Sequence, residues 1–339
     1  MALKQERLRV NLDASKALTT KTRRHEEIQR KGFGKYRILD RTNSEVTFRP
    51  CKPPGIPRVF LVFFVLLVVH FFGLRLIIGK GMDMGILDDF KLDGKTAVVT
   101  GASAGLGRGM AEGLAEAGAD VVVVSRTAER LEGVRDTIRA LGRRCASVPA
   151  DIGDASQIPG MIAAAKAMTG RIDIIVNNAG TSFRSPPEDF PEEEWRRVMD
   201  LNINAVWYCS QAAGKIMIEQ GDGGKIVNTA SLLSFQGGIL VPPYAASKGA
   251  VMQLTKSMAN DWAKHNIQVN AIAPGYFTTD LTAPIKQDET RSRQIIERIP
   301  ADRWGDPSDL KGAVVYLASA ASNYVTGHIL TVDGGWMGR

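Results

Sequence analysis

The chain has 339 residues, 44% of them hydrophobic, and a formal charge of +7. Residues 1–84 carry 17 Lys/Arg against 7 Asp/Glu, so the remaining 255 residues are net acidic by three charges. The basic balance belongs to the N-terminal segment, which removes any reason to expect nucleic acid at the folded part. Cys51, Cys145 and Cys209 are odd in number and widely spaced, with no C-x-x-C, which argues against a disulfide framework and points to a reducing compartment.

Residues 1–58 are basic and polar, without sustained periodicity, and end in C-K-P-P-G-I-P-R; they are expected to be a disordered or loosely helical extension. Residues 59–78 form an apolar run of the length needed to cross a bilayer core of about 30 Å. The run lies too deep and lacks the small-residue cleavage site of a secretory signal. Two readings stand. One is a single-pass membrane anchor. The other is that translation begins at Met82 or Met84, the upstream residues being dispensable for chemistry in a cytoplasmic protein. Fifteen Lys/Arg precede the run, which would hold the N-terminus in the cytoplasm and send the following domain across the membrane. A bacterial domain placed there would lack nicotinamide, which favours the second reading.

From residue 95 short apolar runs alternate with helical stretches, the pattern of an α/β, doubly wound Rossmann-type domain over residues 85–339. T-A-V-V-T reads as a buried strand that turns through T-G-A-S-A-G-L-G directly into a helix. Gly101, Gly105 and Gly107 permit a tight turn and let backbone approach a pyrophosphate at the helix N-terminus, with Ser103 and Leu106 in the same turn. A second strand, A-D-V-V-V-V, ends at Ser125-Arg126. An acid commonly stands there to hold the ribose 2′-OH of NAD; here Ser125 takes its place, and Arg126 either pairs with the 2′-phosphate of NADP or is a surface residue at a helix start. NADP is therefore preferred over NAD. Strands near residues 145–148 and 172–176 flank a helix over 154–168. Asp151 and Ile152 are expected beside the adenine. Asn178, Ala179 and Gly180, in N-N-A-G, close the fourth strand where a crevice opens at the carboxyl ends of a doubly wound sheet.

The stretch 192–219 reads as one long helix containing D-L-N-I-N-A-V-W, with Asn202 and Asn204 inside it. G-G-K-I-V-N-T-A-S is a fifth strand with Ser231 just past its end, where a hydroxyl can donate to a carbonyl oxygen; Ser234 is a nearby competitor. Y-A-A-S-K opens the next helix and puts Tyr244 and Lys248 one turn apart on one face. A phenol with a pKa of about 10 is a poor proton carrier at neutral pH. An ammonium beside it favours the phenolate and brings it toward the working range. Alone, such a pair is far more often a surface contact than a catalytic one. N-I-Q-V-N-A-I-A-P-G-Y-F-T-T is a sixth strand and loop, residues 280–299 are polar and Pro-interrupted, 307–318 is a helix, and H-I-L-T-V-D-G-G-W a last strand and tail. His265 and His328 flank strands without partner motifs and read as structural. No cluster with metal-ligand spacing occurs, so no metal is expected.

T-G-A-S-A-G-L-G, N-N-A-G, the Ser231 position, Y-A-A-S-K and A-P-G-Y-F, in this order and spacing, resemble the short-chain dehydrogenase/reductase family over about three-quarters of the chain. The resemblance implies one domain around a parallel sheet of about seven strands, assembled as a homotetramer. It implies Asn202, Ser231, Tyr244 and Lys248 as the catalytic set. Asn202 would kink its helix and hold a water that relays protons to Lys248. Tyr244 would be general acid in reduction and general base in oxidation, and Lys248 would bond the nicotinamide ribose. Pro274, Gly275, Phe277 and Thr279 match positions that meet the nicotinamide carboxamide, and residues 280–299 the mobile substrate lid. Within the family, R-W-G-D-P-S-D-L-K-G-A and the terminal V-D-G-G-W-M-G-R resemble the sugar-acid branch, which implies a gluconate- or deoxygluconate-type substrate. Arg184, four residues past Gly180, is the expected clamp for its carboxylate. Two other readings are a membrane-anchored reductase of lipid or other apolar ketones, and a non-catalytic nucleotide-binding scaffold.

Overall fold

The computed structural model describes residues 85–339 throughout and, upstream of them, three short strands. The chain divides into two units, Met1–Met84 and Gly85–Arg339. In the first, β1 (Tyr36–Leu39), β2 (Glu45–Phe48) and β3 (Arg75–Ile77) pair antiparallel in the order β2-β1-β3. The expected disordered extension and the apolar run 59–78 otherwise lie outside the described residues. Within that run, Arg75–Ile77 pair as a strand. Among the described residues no helix is long and apolar enough to cross a membrane.

The second unit is built on seven parallel strands: β4 (Thr96–Thr100), β5 (Asp120–Ser125), β6 (Cys145–Pro149), β7 (Ile174–Asn177), β8 (Gly224–Thr229), β9 (Ile267–Pro274) and β10 (Ile329–Val332), in the order β10-β9-β8-β7-β4-β5-β6. Central strands read as unbroken β-branched runs because both faces are covered. Along β5 the side chains alternate between two cores: Val121 and Val123 enter one, Val122 and Val124 the other. The first core lies under α1 (Gly105–Glu116), α2 (Ala128–Ala140) and α9 (Lys311–Ala318), to which Met110, Leu131 and Leu317 belong. The second lies under α3 (Ile158–Ala167), α5 (Ala205–Gln220) and α6 (Pro242–Trp262), with Met161, Met217 and Met258.

The strand order reverses direction between β4 and β7, so the chain leaves β4 toward one side and β7 toward the other, and a crevice is left at their carboxyl ends. The stretch expected as one helix over 192–219 is interrupted: α4 (Glu192–Met199) passes through one π-helical turn, Asp200–Asn204, into α5. The polar segment after β9 folds into α7 (Ala283–Gln287) and α8 (Glu289–Arg298), capped by Asp288, whose carboxylate accepts from the Arg291 N–H at 2.9 Å.

Candidate active site

At the end of β4 the backbone turns at Gly101 (φ 65°) and enters α1 at Gly105 (φ 53°), conformations an L side chain rarely adopts. Space forbids one as well. A Cβ on Gly101 would sit 2.8 Å from Ala179 Cα, and one on Gly107 would collide with the Gly101 carbonyl and the Asn178 amide. The turn is stapled to the β7 exit by Thr100. Its hydroxyl accepts from the N–H of Asn178 (3.0 Å) and of Ala179 (3.1 Å), while Asn178 Nδ2 donates back to the Thr100 carbonyl (3.0 Å). The result is a bare backbone cradle at a helix N-terminus.

The cradle opens into a cleft of about 500 Å³. Of the expected cofactor residues, Gly101, Ser103, Gly105, Leu106, Gly107, Ser125, Arg126, Asp151, Ile152, Asn178, Ala179, Gly180 and Thr279 line it, together with Tyr244 and Lys248. Pro274, Gly275 and Phe277 do not. Pro274 pairs with Val332 in the sheet, and a Cβ on Gly275 would strike Asp333. Phe277 is buried and bridges to Gly305. Arg130, in the first turn of α2 and four residues past Arg126, also lines the cleft. It has no motif of its own; the i, i+4 spacing was the only sign.

At the other end stand the residues expected to be catalytic. Lys248 is buried, and its Nζ donates to the Thr229 carbonyl at 2.6 Å while lying 5.7 Å from the Tyr244 ring centroid. Burial alone pushes the Lys248 ammonium down to about 8. Tyr244 departs from the expected lowering. Burial is the largest influence and raises its pKa, with the Ser231 hydroxyl pulling the other way, so without cofactor the phenol is held protonated. Ser231 caps the turn Leu232–Ser234, its Oγ accepting from the Leu233 N–H at 3.2 Å. Ser234 serves to moor that turn, donating to the Lys248 carbonyl at 2.7 Å.

Asn202 sits buried in the π-helical turn. Its Oδ1 accepts from the Thr181 N–H and its Nδ2 donates to the Thr181 carbonyl, both at 2.9 Å; Nδ2 also reaches Ser247 Oγ at 3.2 Å. Ser247 in turn donates to the Tyr244 carbonyl at 2.8 Å. One amide thereby joins the loop after Gly180 to the first turn of α6. Asn204, the alternative, is exposed and bonds Asp200 on its own helix. Beneath them runs a buried polar chain that sequence reasoning missed: Asn177 donates to Ser210 (2.9 Å) and Asn228 (2.8 Å), and Asn228 donates to Thr255 (2.9 Å). Each of these residues is ordinary in sequence; pairing of β7 with β8 sets Asn177 beside Asn228, and Ser210 from α5 and Thr255 from α6 pack onto them. Arg184 is exposed and does not line the cleft.

A family model described as enoyl-(acyl carrier protein) reductase matches residues 101–337. A 2-dehydro-3-deoxy-D-gluconate 5-dehydrogenase of Escherichia coli is 55% identical over 254 residues, 75% of this chain and 100% of that protein. The chain belongs to the short-chain dehydrogenase/reductase family. Within this family a gluconate 5-dehydrogenase of Gluconobacter oxydans is 43% identical over 73% of the chain and 96% of its own length. The crystal structure of a gluconate 5-dehydrogenase from Burkholderia cenocepacia, in complex with NADP and tartrate, superposes with a TM-score of 0.72 at 41% identity, covering 75% of this chain and 100% of that one. As a short-chain dehydrogenase/reductase the protein is an oxidoreductase acting on CH–OH groups, and its cleft suits a nicotinamide dinucleotide.

Proposed function

We propose that this oxidoreductase interconverts a secondary alcohol and ketone on a sugar acid of the gluconate or 2-dehydro-3-deoxygluconate type, with preference for NADP. The observation that carries the reading is the convergence of Ser231, Tyr244 and Lys248 at one end of the dinucleotide cleft, in a chain 55% identical over its whole catalytic unit to a 2-dehydro-3-deoxy-D-gluconate 5-dehydrogenase. The identities to sugar-acid enzymes favour this over an apolar-ketone reductase, and the intact catalytic set disfavours a scaffold.

The glycine cradle and the N-terminus of α1 would hold the pyrophosphate, and Lys248 the nicotinamide ribose. The bound nicotinamide supplies the hydride in reduction and accepts it in oxidation. Tyr244, protonated in the free protein, gives its hydroxyl proton to the ketone oxygen as that oxygen gains charge, and takes a proton from the alcohol in the reverse direction. Ser231 donates a hydrogen bond to the same oxygen. Lys248 stabilises the phenolate once its ammonium is retained by an anionic neighbour. Ser125, where an acid would repel a 2′-phosphate, and the two guanidinium groups of Arg126 and Arg130 support the preference for NADP.

The test is a panel of gluconate, 2-deoxygluconate, 2-dehydro-3-deoxygluconate and several apolar ketones, with NAD and NADP in parallel. Turnover confined to the sugar acids is expected; turnover confined to apolar ketones would sink the reading. Arg126→Ala and Arg130→Ala should each reduce the NADP-to-NAD ratio of kcat/KM, and ratios left at the wild-type value would remove both from cofactor choice. Arg184→Leu should raise the KM of a sugar acid far more than that of a neutral polyol; equal effects would take Arg184 out of the substrate site. A homotetramer is supported by the exposed Trp207, Tyr208 and Ile218 on α5 and Trp195 on α4. Sedimentation of wild type and Trp207→Glu decides it: a single tetrameric species that the charge dissociates is expected.

A further inference from the structure

Trp336, three residues from the C-terminus, is buried beside elements that frame the substrate end of the cleft. Its indole N–H donates to Gln236 Oε1 at 3.1 Å, and Gln236 lies in the loop that begins with Ser231. An indole nitrogen is a donor only, so the Gln236 amide must present its oxygen there and its orientation is fixed. The Gln236 backbone N–H donates to the Leu232 carbonyl at 3.0 Å, which ties the backbone of that residue to the turn capped by Ser231. Over the same indole ring the Arg298 guanidinium, from the last turn of α8, stacks 4.1 Å from the centroid, and the Tyr276 ring lies 4.8 Å away. Leu232, Ile295 and Ile299 share its apolar cluster. The tail itself is held: Asp333 Oδ2 accepts from the Met337 N–H at 2.8 Å, and Arg339 donates to the Glu297 carbonyl at 2.9 Å.

One side chain thus touches the serine loop, α8 and the loop leaving β9. We propose that Trp336 is a positioning residue that, through Gln236 and Arg298, sets the Ser231 loop and the helix α8 in register with each other for substrate binding. It acts without touching the reacting atoms. The inference rests on the reading above only in taking the Ser231–Tyr244 end as the substrate end.

Trp336→Phe keeps a ring against Arg298 and the apolar cluster but removes the N–H; Gln236→Leu removes the acceptor. Both are made in the full chain, singly and together, and compared with wild type for substrate KM, kcat, NADP affinity and melting temperature. Each single change should raise the substrate KM by about five- to tenfold, the scale of one neutral hydrogen bond, with NADP affinity unmoved. The double variant should be no worse than the singles, since both delete the same bond. A fall in melting temperature with an unchanged KM would reduce Trp336 to packing and overturn the proposal, as would additive effects or an NADP affinity that shifts in step with KM. If wild type turns over no sugar acid, that defeats the substrate reading alone; the same comparison is then made on the alcohol it does oxidise.

Discussion

Burial, not mutual contact, sets the protonation of Tyr244 and Lys248 in the free protein. Without cofactor, burial depresses Lys248 to about 8 and raises Tyr244, so the pair sits as phenol and partly deprotonated amine. Tyr244→Phe removes the proton proposed to be transferred to the substrate oxygen while leaving a ring of the same size. Hydride transfer should fall about 10²- to 10⁴-fold with NADP affinity retained, measured by single-turnover absorbance and by cofactor titration. Loss of cofactor affinity in step with rate would instead assign Tyr244 to binding. The depressed Lys248 gives a pH prediction with a definite sign. A polyanionic dinucleotide raises the pKa of a neighbouring ammonium, so binding takes up a proton wherever the free group has lost it. Cofactor affinity should therefore be flat below about 8 and weaken as pH rises above it, by no more than about tenfold per pH unit for one proton. Titrations of wild type and Lys248→Met from pH 6.5 to 9.5 test this. A slope that survives in the variant would have another origin.

The helices and turns carry information that motif spacing alone does not. Asn202 was legible as a site because D-L-N-I-N sits among linked motifs. The break it stands in was expected only as the kink that the family resemblance implies at Asn202; the apolar pattern alone reads as one helix through the π-helical turn Asp200–Asn204. A single extra residue in a turn leaves hydrophobic patterning almost unchanged. The buried bonds of the Asn202 side chain to both backbone groups of Thr181 anchor the turn to the loop after Gly180 and satisfy backbone groups that the loop itself leaves unpaired. Asn202→Ala would leave the Thr181 N–H and carbonyl without these partners, at a cost of about 1–3 kcal/mol for each group that stays unpaired. It should also loosen the first turn of α6 through Ser247. Lower thermal stability together with a fall in kcat is expected. An unchanged melting temperature would mean that water or a helix bond replaces the amide. At the nucleotide turn the sequence was more explicit. Glycine is required at 107 because any Cβ meets the Gly101 carbonyl, and Gly107→Ala should abolish NADP binding, read by isothermal titration, before it unfolds the sheet.

Over the whole molecule, the seven-stranded sheet was legible because each central strand is a short run of Val and Ile bounded by Gly, Asn or Pro. The two cores follow from alternation along those runs. What crosses the sheet was not legible. The Asn177–Asn228–Thr255 chain and the contact of Trp336 with Gln236, 100 residues apart, depend on strand order and on the path of the tail. The same sheet bears on residues 1–84. The 255 residues of the second unit contain both cores, the dinucleotide cleft and the residues proposed to be catalytic. The Escherichia coli 2-dehydro-3-deoxy-D-gluconate 5-dehydrogenase is matched over 100% of its length by 75% of this chain. Among the described residues, the cleft lining begins at Gly101. A protein beginning at Met82 should therefore fold to the same cooperative unit and keep kcat/KM within about twofold of the full chain, a difference of roughly 0.4 kcal/mol in transition-state stabilisation. Parallel melting curves and initial rates on one substrate and NADP provide the comparison. A tenfold loss of kcat/KM with an unchanged melting temperature would place part of the substrate site in residues 1–81; a loss of both would make that segment part of the folded core.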